Sequence, residues 1–327
     1  MQHYPLITVG LTCYNAAETI IRSINSALEQ DYPAFEILVV DDGSRDRSAQ
    51  IIQDYIADKP KVRLILHKTN SGFPSALNTL VEQARGDYIA FFDDDDVSCP
   101  DRLKKQIERI TTFSQLRGTD KILCYSNRAI IRAGESSPHH IALAIGRTAP
   151  EPSGEDVADF ILWHAHNRET VWGLFGSCTL MMKTSYLRQI GGFDPDFRRS
   201  AEWDMAVRAA RDGASFIAVD EPLITQHKTA TSDKSGKIPL HYALKLRQKY
   251  KGYLQSKGVY AAALCLTRYQ YYHGQKNRLF GLFWMGVACC LAPKKIFWEK
   301  FSYALSQPKE TAPESGVFSR DINGYSG

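Results

Sequence analysis

The sequence contains neither the cysteine spacing of a zinc site nor the even cysteine count of a disulfide framework. Its seven cysteines include no CxxC pair, and most lie within apolar stretches. Such cysteines are typical of proteins in a reduced compartment. Residues 1–5 also supply neither a basic nor an apolar leader before the first strand-like run. We therefore expect no secretory signal and a cytoplasmic location.

Two widespread nucleotide-binding signatures are absent too. The first apolar run, residues 6–12, is not followed by GxGxxG, and no P-loop segment occurs in the chain. The first absence argues against a Rossmann dinucleotide site and the second against P-loop chemistry. An apolar fraction of 44% over 327 residues allows a sizeable core. The length suits one large domain with an appendage, or two domains.

Strand-like and helical patterns alternate through the first hundred residues. β-branched, apolar runs predict strands at 6–12, 35–40, 62–66 and 88–92, and amphipathic spacing predicts helices at 17–29, 51–56 and 74–85. This order predicts an α/β fold with a mostly parallel central sheet and helices on both faces. A long loop is predicted at 132–155, and the last strand at 216–219.

Polar and acidic residues follow the strands at one edge of the predicted sheet. Residues 12–15 (Thr-Cys-Tyr-Asn), 41–44 (Asp-Asp-Gly-Ser) and 93–96 (four aspartates) occupy these positions. Ligands bind beyond the carboxyl ends of the strands in such sheets. The sequence therefore predicts a binding site at this edge.

The four aspartates at 93–96 permit more than one interpretation. Neighbouring carboxylates repel unless a cation or solvent separates them, and oxygen ligands favour Mg²⁺ or Mn²⁺ shared with substrate phosphates. A solvated acidic turn is the alternative, whereas the spacing does not match an EF-hand calcium loop.

The remaining candidates also have structural alternatives. Asp41 and Asp42 could bind a nucleotide or shape a turn and cap a helix. Tyr14 could stack on a base or simply pack. His227, after the last predicted strand, could bind metal or phosphate or be an ordinary loop histidine.

Two acidic residues near a predicted helix start raise the same question. Glu202 and Asp204 could be there because the helix dipole favours acidic residues at a helix start, or one of them could be a general base.

In combination, these segments resemble the family 2 glycosyltransferases, which have the GT-A fold. The resemblance extends over about residues 5–230. It rests on the motifs at 9–15, 36–44, 70–78, 86–103 and 191–208, which follow in the family's order and at family-like spacing.

The resemblance implies roles for individual residues. The implied donor site comprises Thr12, Tyr14, Asp42, Asp93 and Asp94. Asp95 would bind Mn²⁺ or Mg²⁺, with His227 as a further ligand. The family usually has Glu-Asp before Trp-Asp; here Ala201-Glu202 precede Trp203, so Glu202 takes the position of the base. Supporting residues are Asp41, Asp96, Trp203 and Asp204, and acceptor candidates are Trp163, Trp172 and Ser177.

The expected reaction is a single inverting transfer from a nucleotide-sugar, in most family members UDP-linked, to a hydroxyl of a glycan or lipid-linked acceptor. Two alternatives remain. A nucleotidyltransferase would also combine a nucleotide site with acidic metal ligands, but it usually has a Gly- and Arg/Lys-rich phosphate loop that this chain lacks. A non-catalytic, membrane-associated nucleotide-sugar-binding protein would not need the acids at 93, 95 and 202.

The C-terminal third has a different composition. We expect a catalytic domain at 1–235 (5–118 for the donor, 119–235 for the acceptor), a basic helical extension at 236–305 and a loose tail at 306–327. Residues 241–305 contain eleven Lys or Arg and one acid, a net charge of +10 in a chain of net +4.

This segment also contains a short apolar helix. The fifteen residues between Arg278 and Lys294 span about 22 Å as a helix, too short for a bilayer core of about 30 Å. An interfacial membrane anchor and a helix packed on the catalytic domain are both compatible with this pattern. Nucleic-acid binding is disfavoured because no binding motif accompanies the charge. We expect a peripheral protein at the inner face of the cell membrane.

Overall fold

The computed structural model describes residues 4–132, 134–135, 137–164, 171–227 and 236–297. The chain divides into two compact units. The first comprises residues 1–155 and 169–230, and the second comprises 156–168 and 231–327. The expected domain boundary at residue 235 and the expected tail at 306–327 lie outside the described residues.

The first unit is built on one nine-stranded sheet. Its strands are β1 (Ile7–Cys13), β2 (Phe35–Asp41), β3 (Val62–Leu66), β4 (Tyr88–Phe92), β5 (Val97–Ser98), β6 (Ile122–Ile131), β7 (His140–Ala142), β8 (Met181–Lys183) and β9 (Ser215–His227). They lie in the order β3-β2-β1-β4-β8-β6-β9-β5, and β7 also pairs with β6.

Parallel pairing is concentrated in the first half of the sheet. β1 pairs in parallel with β2 and β4, and β2 with β3. β8 then runs antiparallel to β4 and β6, whereas β9 is parallel to β6. All seven residues of β1 are buried, as expected for a central strand covered on both faces.

Helices connect and cover these strands. The first unit contains α1 (Ile20–Leu28), α2 (Ser48–Ile56), α3 (Phe73–Gln83), α4 (Arg102–Arg117), α6 (Thr184–Gln189) and α7 (Ala201–Arg211). α3 packs on β1 and β2, and α4 packs on β6 and β9. The predicted α/β architecture, its first four strands and its first three helices are therefore confirmed.

Two predictions in the second half of the sheet were wrong. The segment 132–155 contains β7, which pairs with Arg128–Ile130 of β6. β9 does not end at residue 219 but continues to His227, because its pairing with β6 resumes after a register shift at Pro222. A proline has no N–H to give to the ladder, so the interruption of the apolar pattern reflects a bulge within one strand.

The second unit is helical in its described part. α5 (Glu155–Trp163), all but its first residue, belongs to it, together with α8 (Ile238–Lys249), α9 (Lys251–Ser256), α10 (Tyr260–Gly274) and α11 (Arg278–Leu291). Arg247 of α8 is 1% exposed, and its guanidinium donates to the carbonyls of Ile161 and Leu162. α10 and α11 pack against each other. None of the described helices has the length and apolar character needed to cross a bilayer.

Candidate active site

The register of the parallel strands brings three chain segments to one edge. Thr12 lies opposite Val40, and Cys13 lies opposite Asp41. On the other side of β1, Leu11 lies opposite Phe92, the residue before the four aspartates. The predicted convergence of polar residues at the carboxyl ends of β1, β2 and β4 is therefore present.

The Asp42 carboxylate holds the loop at residues 67–72 through three hydrogen bonds. One carboxylate oxygen accepts hydrogen bonds from the Ser71 backbone N–H (2.9 Å) and from the His67 ring (2.7 Å). The other accepts from the Gly72 N–H at 2.8 Å. Both oxygens thus have protein partners. Gly43 follows with a φ of +69°, and a Cβ there would lie 2.6 Å from the Thr69 carbonyl carbon.

Asp41 differs from its neighbour. One of its oxygens accepts a hydrogen bond from the Ser44 N–H at 3.0 Å. The other is buried and has no hydrogen-bond partner within the described part of the chain. Because an unpaired buried carboxylate oxygen is costly, Asp41 is the better acceptor for a ligand N–H or hydroxyl at this strand end.

Tyr14 and Thr12 line the same edge. Tyr14 is 41% exposed, as a residue that stacks on a base must be, whereas Thr12 is buried. The Tyr14 backbone N–H donates to the Asp94 carboxylate at 3.1 Å. That bond connects the end of β1 directly to the acidic run.

The acidic run is held through its own backbone by α1. The Ser23 hydroxyl donates to the Asp93 carbonyl, and the Arg22 guanidinium donates to the Asp95 carbonyl, each at 2.6 Å. These two bonds fix the main chain of the run.

One group of potential metal ligands occurs in the run and its surroundings. Oxygens of Asp93 and Asp96 and the sulfur of Cys178 lie within 4.8 Å of one another. Asp96 is 4% exposed, and no side chain of the described residues donates to its oxygens, while a backbone hydrogen bond from His227 lowers its pKa. Buried carboxylate oxygens without a side-chain donor, beside a second carboxylate, fit a cation. Burial raises the pKa of the Cys178 thiol, with Asp93 adding to the shift, so this sulfur is a poorer ligand than the oxygens.

Two arginines already face this group from inside the protein. Arg128 of β6 donates to the Cys178 sulfur at 3.4 Å. Arg102 of α4 is fully buried, and its guanidinium donates to Gln106, Ser98 and the Phe91 carbonyl. Both guanidinium groups lower the pKa of Asp93.

The carboxylates nevertheless remain hard to ionise together. Burial, followed by the charges of Asp95 and Glu202, raises the pKa of Asp93 to about 7. Burial likewise raises the pKa of Asp94 to about 7. The pKa of Asp96 is raised well above its ordinary value by burial and then by Asp93 and Asp95. Such perturbed carboxylates are typical of functional sites.

Glu202 lies at the start of α7 beside this acidic group. Its Oε1 accepts a hydrogen bond from the Ser177 hydroxyl at 3.3 Å. Burial raises the Glu202 pKa, while Ser177, Arg128 and Arg199 oppose the shift. Because Glu202 in turn raises the pKa of Asp93, the two carboxylates share one electrostatic environment.

The next residues of the motif stabilise the fold. Asp204 is fully buried and accepts a hydrogen bond from the Arg208 side chain at 2.9 Å. Arg208 also donates to the carbonyls of Ile190 and Gly192. Trp203 packs on Phe175, with ring centroids 5.1 Å apart. This arrangement holds the turn before α7.

His227, the last residue of β9, is near Asp95. Burial, followed by the Arg22 charge, lowers the pKa of the imidazole, and the Asp95 carboxylate opposes this effect. A neutral imidazole is the form that binds a metal. The expected pair Asp95 and His227 thus shares one environment, although neither belongs to the group of Asp93, Asp96 and Cys178.

The acceptor candidates are dispersed. Ser177 contacts Glu202, as described above. Trp172 is 38% exposed, and the Arg147 guanidinium lies 3.9 Å from its ring centroid. Trp163 belongs to the second unit and is buried.

Comparison with known proteins agrees with this geometry. Residues 8–116, which contain the β1, β2 and β4 ends, match the family model described as glycosyl transferase family 2. The chain therefore contains a region similar to glycosyltransferase family 2 over these residues. It is a transferase with the GT-A fold.

The similarity of this glycosyltransferase to its bacterial relatives covers different shares of the chain. It is 26% identical to the amylovoran biosynthesis glycosyltransferase AmsB of Erwinia amylovora over 77% of the chain and 80% of that protein. It is 41% identical to an uncharacterized glycosyltransferase of Haemophilus influenzae, but over 32% of the chain and 41% of that protein.

Two solved structures share the fold of the glycosyltransferase. S. aureus TarS 1–349, in complex with UDP-GlcNAc, matches with a TM-score of 0.61 and 17% identity over 93% of each chain. The mannosyltransferase PcManGT from Pyrobaculum calidifontis, in complex with GDP-Man and Mn²⁺, matches with a TM-score of 0.57 and 17% identity over 94% of this chain and 82% of its own. At this identity the similarity concerns the fold.

The sequence did not identify every residue that shapes the glycosyltransferase site. Arg128 lies in a strand and Cys178 in a short helical turn, and neither segment contains a recognisable motif. The one signal for Arg128 is an arginine within a mostly apolar stretch, since burying such a charge requires an anionic partner.

Proposed function

We propose that this glycosyltransferase catalyses an inverting, divalent-metal-dependent transfer from a UDP-sugar to a hydroxyl of a glycan or lipid-linked acceptor. The observation that carries the proposal is the position of Glu202. Glu202 is hydrogen-bonded to Ser177, and it lies close enough to Asp93 to raise the pKa of that carboxyl.

The nucleotide would bind at the ends of β1 and β2. Tyr14 offers an exposed ring for the base, and Asp41 offers a buried, unpartnered oxygen for a ring N–H or ribose hydroxyl. Asp42 would hold the loop at residues 71–72 that borders the base. The bound nucleotides of the two structural neighbours, UDP-GlcNAc and GDP-Man, are consistent with this class of donor.

The acidic edge fits a divalent cation. The buried oxygens of Asp96 beside Asp93 and the shared environment of Asp95 and His227 provide oxygen and imidazole donors for Mn²⁺ or Mg²⁺. We propose that Asp95 and His227 are ligands and that Asp93 and Asp96 complete the anionic environment. When bound, such an ion neutralises charge on the leaving diphosphate.

Glu202 would act as the general base. Its carboxylate would accept the proton of the acceptor hydroxyl while that oxygen attacks the anomeric carbon and the bond from that carbon to the diphosphate oxygen breaks. One displacement inverts the anomeric configuration. The Ser177 hydrogen bond would orient the carboxylate, and its raised pKa brings its basicity closer to neutral pH.

The relatives suggest the class of acceptor. AmsB is named for amylovoran biosynthesis, and a Bacillus subtilis relative is named as a putative teichuronic acid biosynthesis glycosyltransferase. We therefore propose a role in the synthesis of a bacterial surface polysaccharide.

Calorimetric titration with UDP, with and without Mn²⁺, tests the donor site first. We expect metal-dependent UDP binding that is lost in Asp95→Ala and retained in the control Asp58→Ala, whose side chain is 83% exposed. The enzyme should then release UDP, not pyrophosphate, from a UDP-sugar. Absence of UDP binding under both conditions would overturn the uridine assignment, and release of pyrophosphate would indicate a nucleotidyltransferase.

A further inference from the structure

Helix α11 has two contrasting sides. Gly281 and Ala288 are buried, and a Cβ at Gly281 would come within 3.4 Å of backbone atoms of Tyr269 and His273 in α10. Phe280 meets Tyr272 of α10 with ring centroids 4.5 Å apart. This side of α11 is the packing face within the second unit.

The other side is apolar and exposed. Leu279 is 84% exposed, Leu282 60% and Phe283 57%, and Gly286 and Cys290 continue the exposed row. These five residues follow the spacing i, i+3, i+4, i+7, i+11, so they form one stripe along the helix. We call this row the α11 face. Soluble proteins rarely expose adjacent large apolar side chains of this kind without a partner.

Positive charge flanks the α11 face at both ends of the helix. Residues 236–297 contain eleven Lys or Arg and no Asp or Glu. Lys276 and Arg278 are exposed at the start of the helix, and Lys294 and Lys295 are exposed just after its end. The partner should therefore combine an apolar layer with negative charge.

The dimensions of α11 limit how it can meet such a partner. Its fourteen residues span about 21 Å, less than the roughly 30 Å hydrocarbon core of a bilayer. A helix with an apolar stripe, flanking cations and aromatic residues is suited to lie in the plane of an interface. A second copy of the chain would place one cationic segment against another, and like charges would repel.

We propose that the α11 face binds the surface of an anionic lipid bilayer. Leu279, Leu282 and Phe283 enter the headgroup and acyl boundary, and the cations at both helix ends contact the lipid phosphates. The interaction concerns the second unit and is independent of the nucleotide site. It would bring the enzyme to the surface at which lipid-linked acceptors are presented.

Flotation of the purified full-length protein with lipid vesicles tests the proposal. The protein should float with vesicles of phosphatidylcholine mixed with phosphatidylglycerol and much less with phosphatidylcholine alone. The triple variant Leu279→Glu, Leu282→Glu, Phe283→Glu should bind mixed vesicles at least about a hundredfold more weakly. Each charge removed at Arg278 or Lys294 should weaken binding about fivefold, and less so at high salt.

Matched variants separate the α11 face from general surface effects. Leu116→Glu alters a leucine of α4 that is 75% exposed, and Lys104→Glu alters an exposed lysine of the same helix. Both should float like the wild type. Circular dichroism and UDP binding should show that every variant is folded.

Two results would overturn the proposal: a triple variant that floats as well as wild type, and wild-type protein that does not float with anionic vesicles. In the second case, gel filtration would be used to look for a wild-type dimer that the triple variant converts to a monomer. Such a dimer would assign the face to a second copy of the chain. None of these results would affect the donor-site experiment.

Discussion

The guanidinium of Arg128 donates a hydrogen bond to the sulfur of Cys178 over 3.4 Å. Arg128 comes from β6, whereas Cys178 lies in a short helical turn at Ser177–Thr179. The guanidinium opposes the burial-driven rise in pKa of both Asp93 and Glu202. It is therefore the internal cation that links the donor side and the base side of the site.

Replacing this cation should destabilise the protein and impair catalysis. Arg128→Met keeps much of the length of the side chain but removes one of the cations that compensate the neighbouring carboxylates. We expect the free energy of unfolding near neutral pH to fall by about 3 kcal/mol. Urea denaturation with EDTA present measures this change, and transferase assays should show a lower kcat.

Arg128→Lys is the matched control. It retains the positive charge and loses the planar fork, so stability should be partly restored. At pH 5, where Asp93 and its neighbours are protonated, the Met variant should lose less stability than at pH 8. Equal losses at the two pH values would show that Arg128 acts through packing instead of charge.

Glu202→Gln should remove the proposed base and leave the nucleotide site intact. We expect kcat to fall at least about a hundredfold with UDP affinity unchanged by calorimetry. Because the active form is the carboxylate and burial raises its pKa, wild-type activity should rise with pH above the ordinary glutamate value. Glu82→Gln changes an exposed glutamate and should be as active as wild type. Full activity of the Glu202→Gln variant would falsify the assignment.

Substitution by Asn should reduce stability at Asp42 and UDP affinity at Asp41. Asp42→Asn alters an acceptor of three hydrogen bonds, from the Ser71 and Gly72 N–H groups and the His67 ring, so stability should fall by about 2 kcal/mol. Asp41→Asn changes a carboxylate with one oxygen that has no partner in the described structure. It should weaken UDP binding and have little effect on the melting temperature. Calorimetry and thermal unfolding of both variants distinguish the two roles.

Stability should decrease as the pH rises from 5 to 8 when divalent metal is absent. The folded-state pKa values of Asp93 and Asp94 are raised to about 7, and that of Asp96 is raised as well. The folded protein therefore binds more protons than the unfolded chain in this range, and deprotonation favours unfolding. His227 has the opposite influence, because its pKa is lowered in the folded protein, but it is one group against three.

Thermal unfolding across this pH range measures the effect. In EDTA we expect the melting temperature to fall by about 5 °C or more between pH 5 and pH 8. Mn²⁺ should reduce the fall, because a cation stabilises the ionised carboxylates. A melting temperature that is constant with pH in EDTA would contradict the electrostatic description of the site.

Local patterns in the sequence predicted the first half of the fold well. β1, β2 and β4 are largely apolar runs because inner parallel strands are buried on both faces. The amphipathic spacing of α1 to α3 reflects the faces that these helices bury. The acids at 41–42, 93–96 and 202 could be found for a related reason. The acids at 41–42 and 93–96 lie at the carboxyl ends of strands, and Glu202 lies at the start of a helix. Ligands bind beyond the carboxyl ends of the strands in parallel sheets.

Which of these carboxylates is available to a ligand depended on the tertiary structure. Asp41 and Asp42 are adjacent, and the sequence does not distinguish their roles. In the folded chain, residues 67–72 donate hydrogen bonds to both oxygens of Asp42, whereas one oxygen of Asp41 has no partner within the described residues. Arg128 and Cys178 are fifty positions apart. Their contact requires β6 to pair with β8, and sequence periodicity carries no information on such pairing. Charges act through space, so the sequence determined which groups can ionise and the fold determined how strongly each is perturbed.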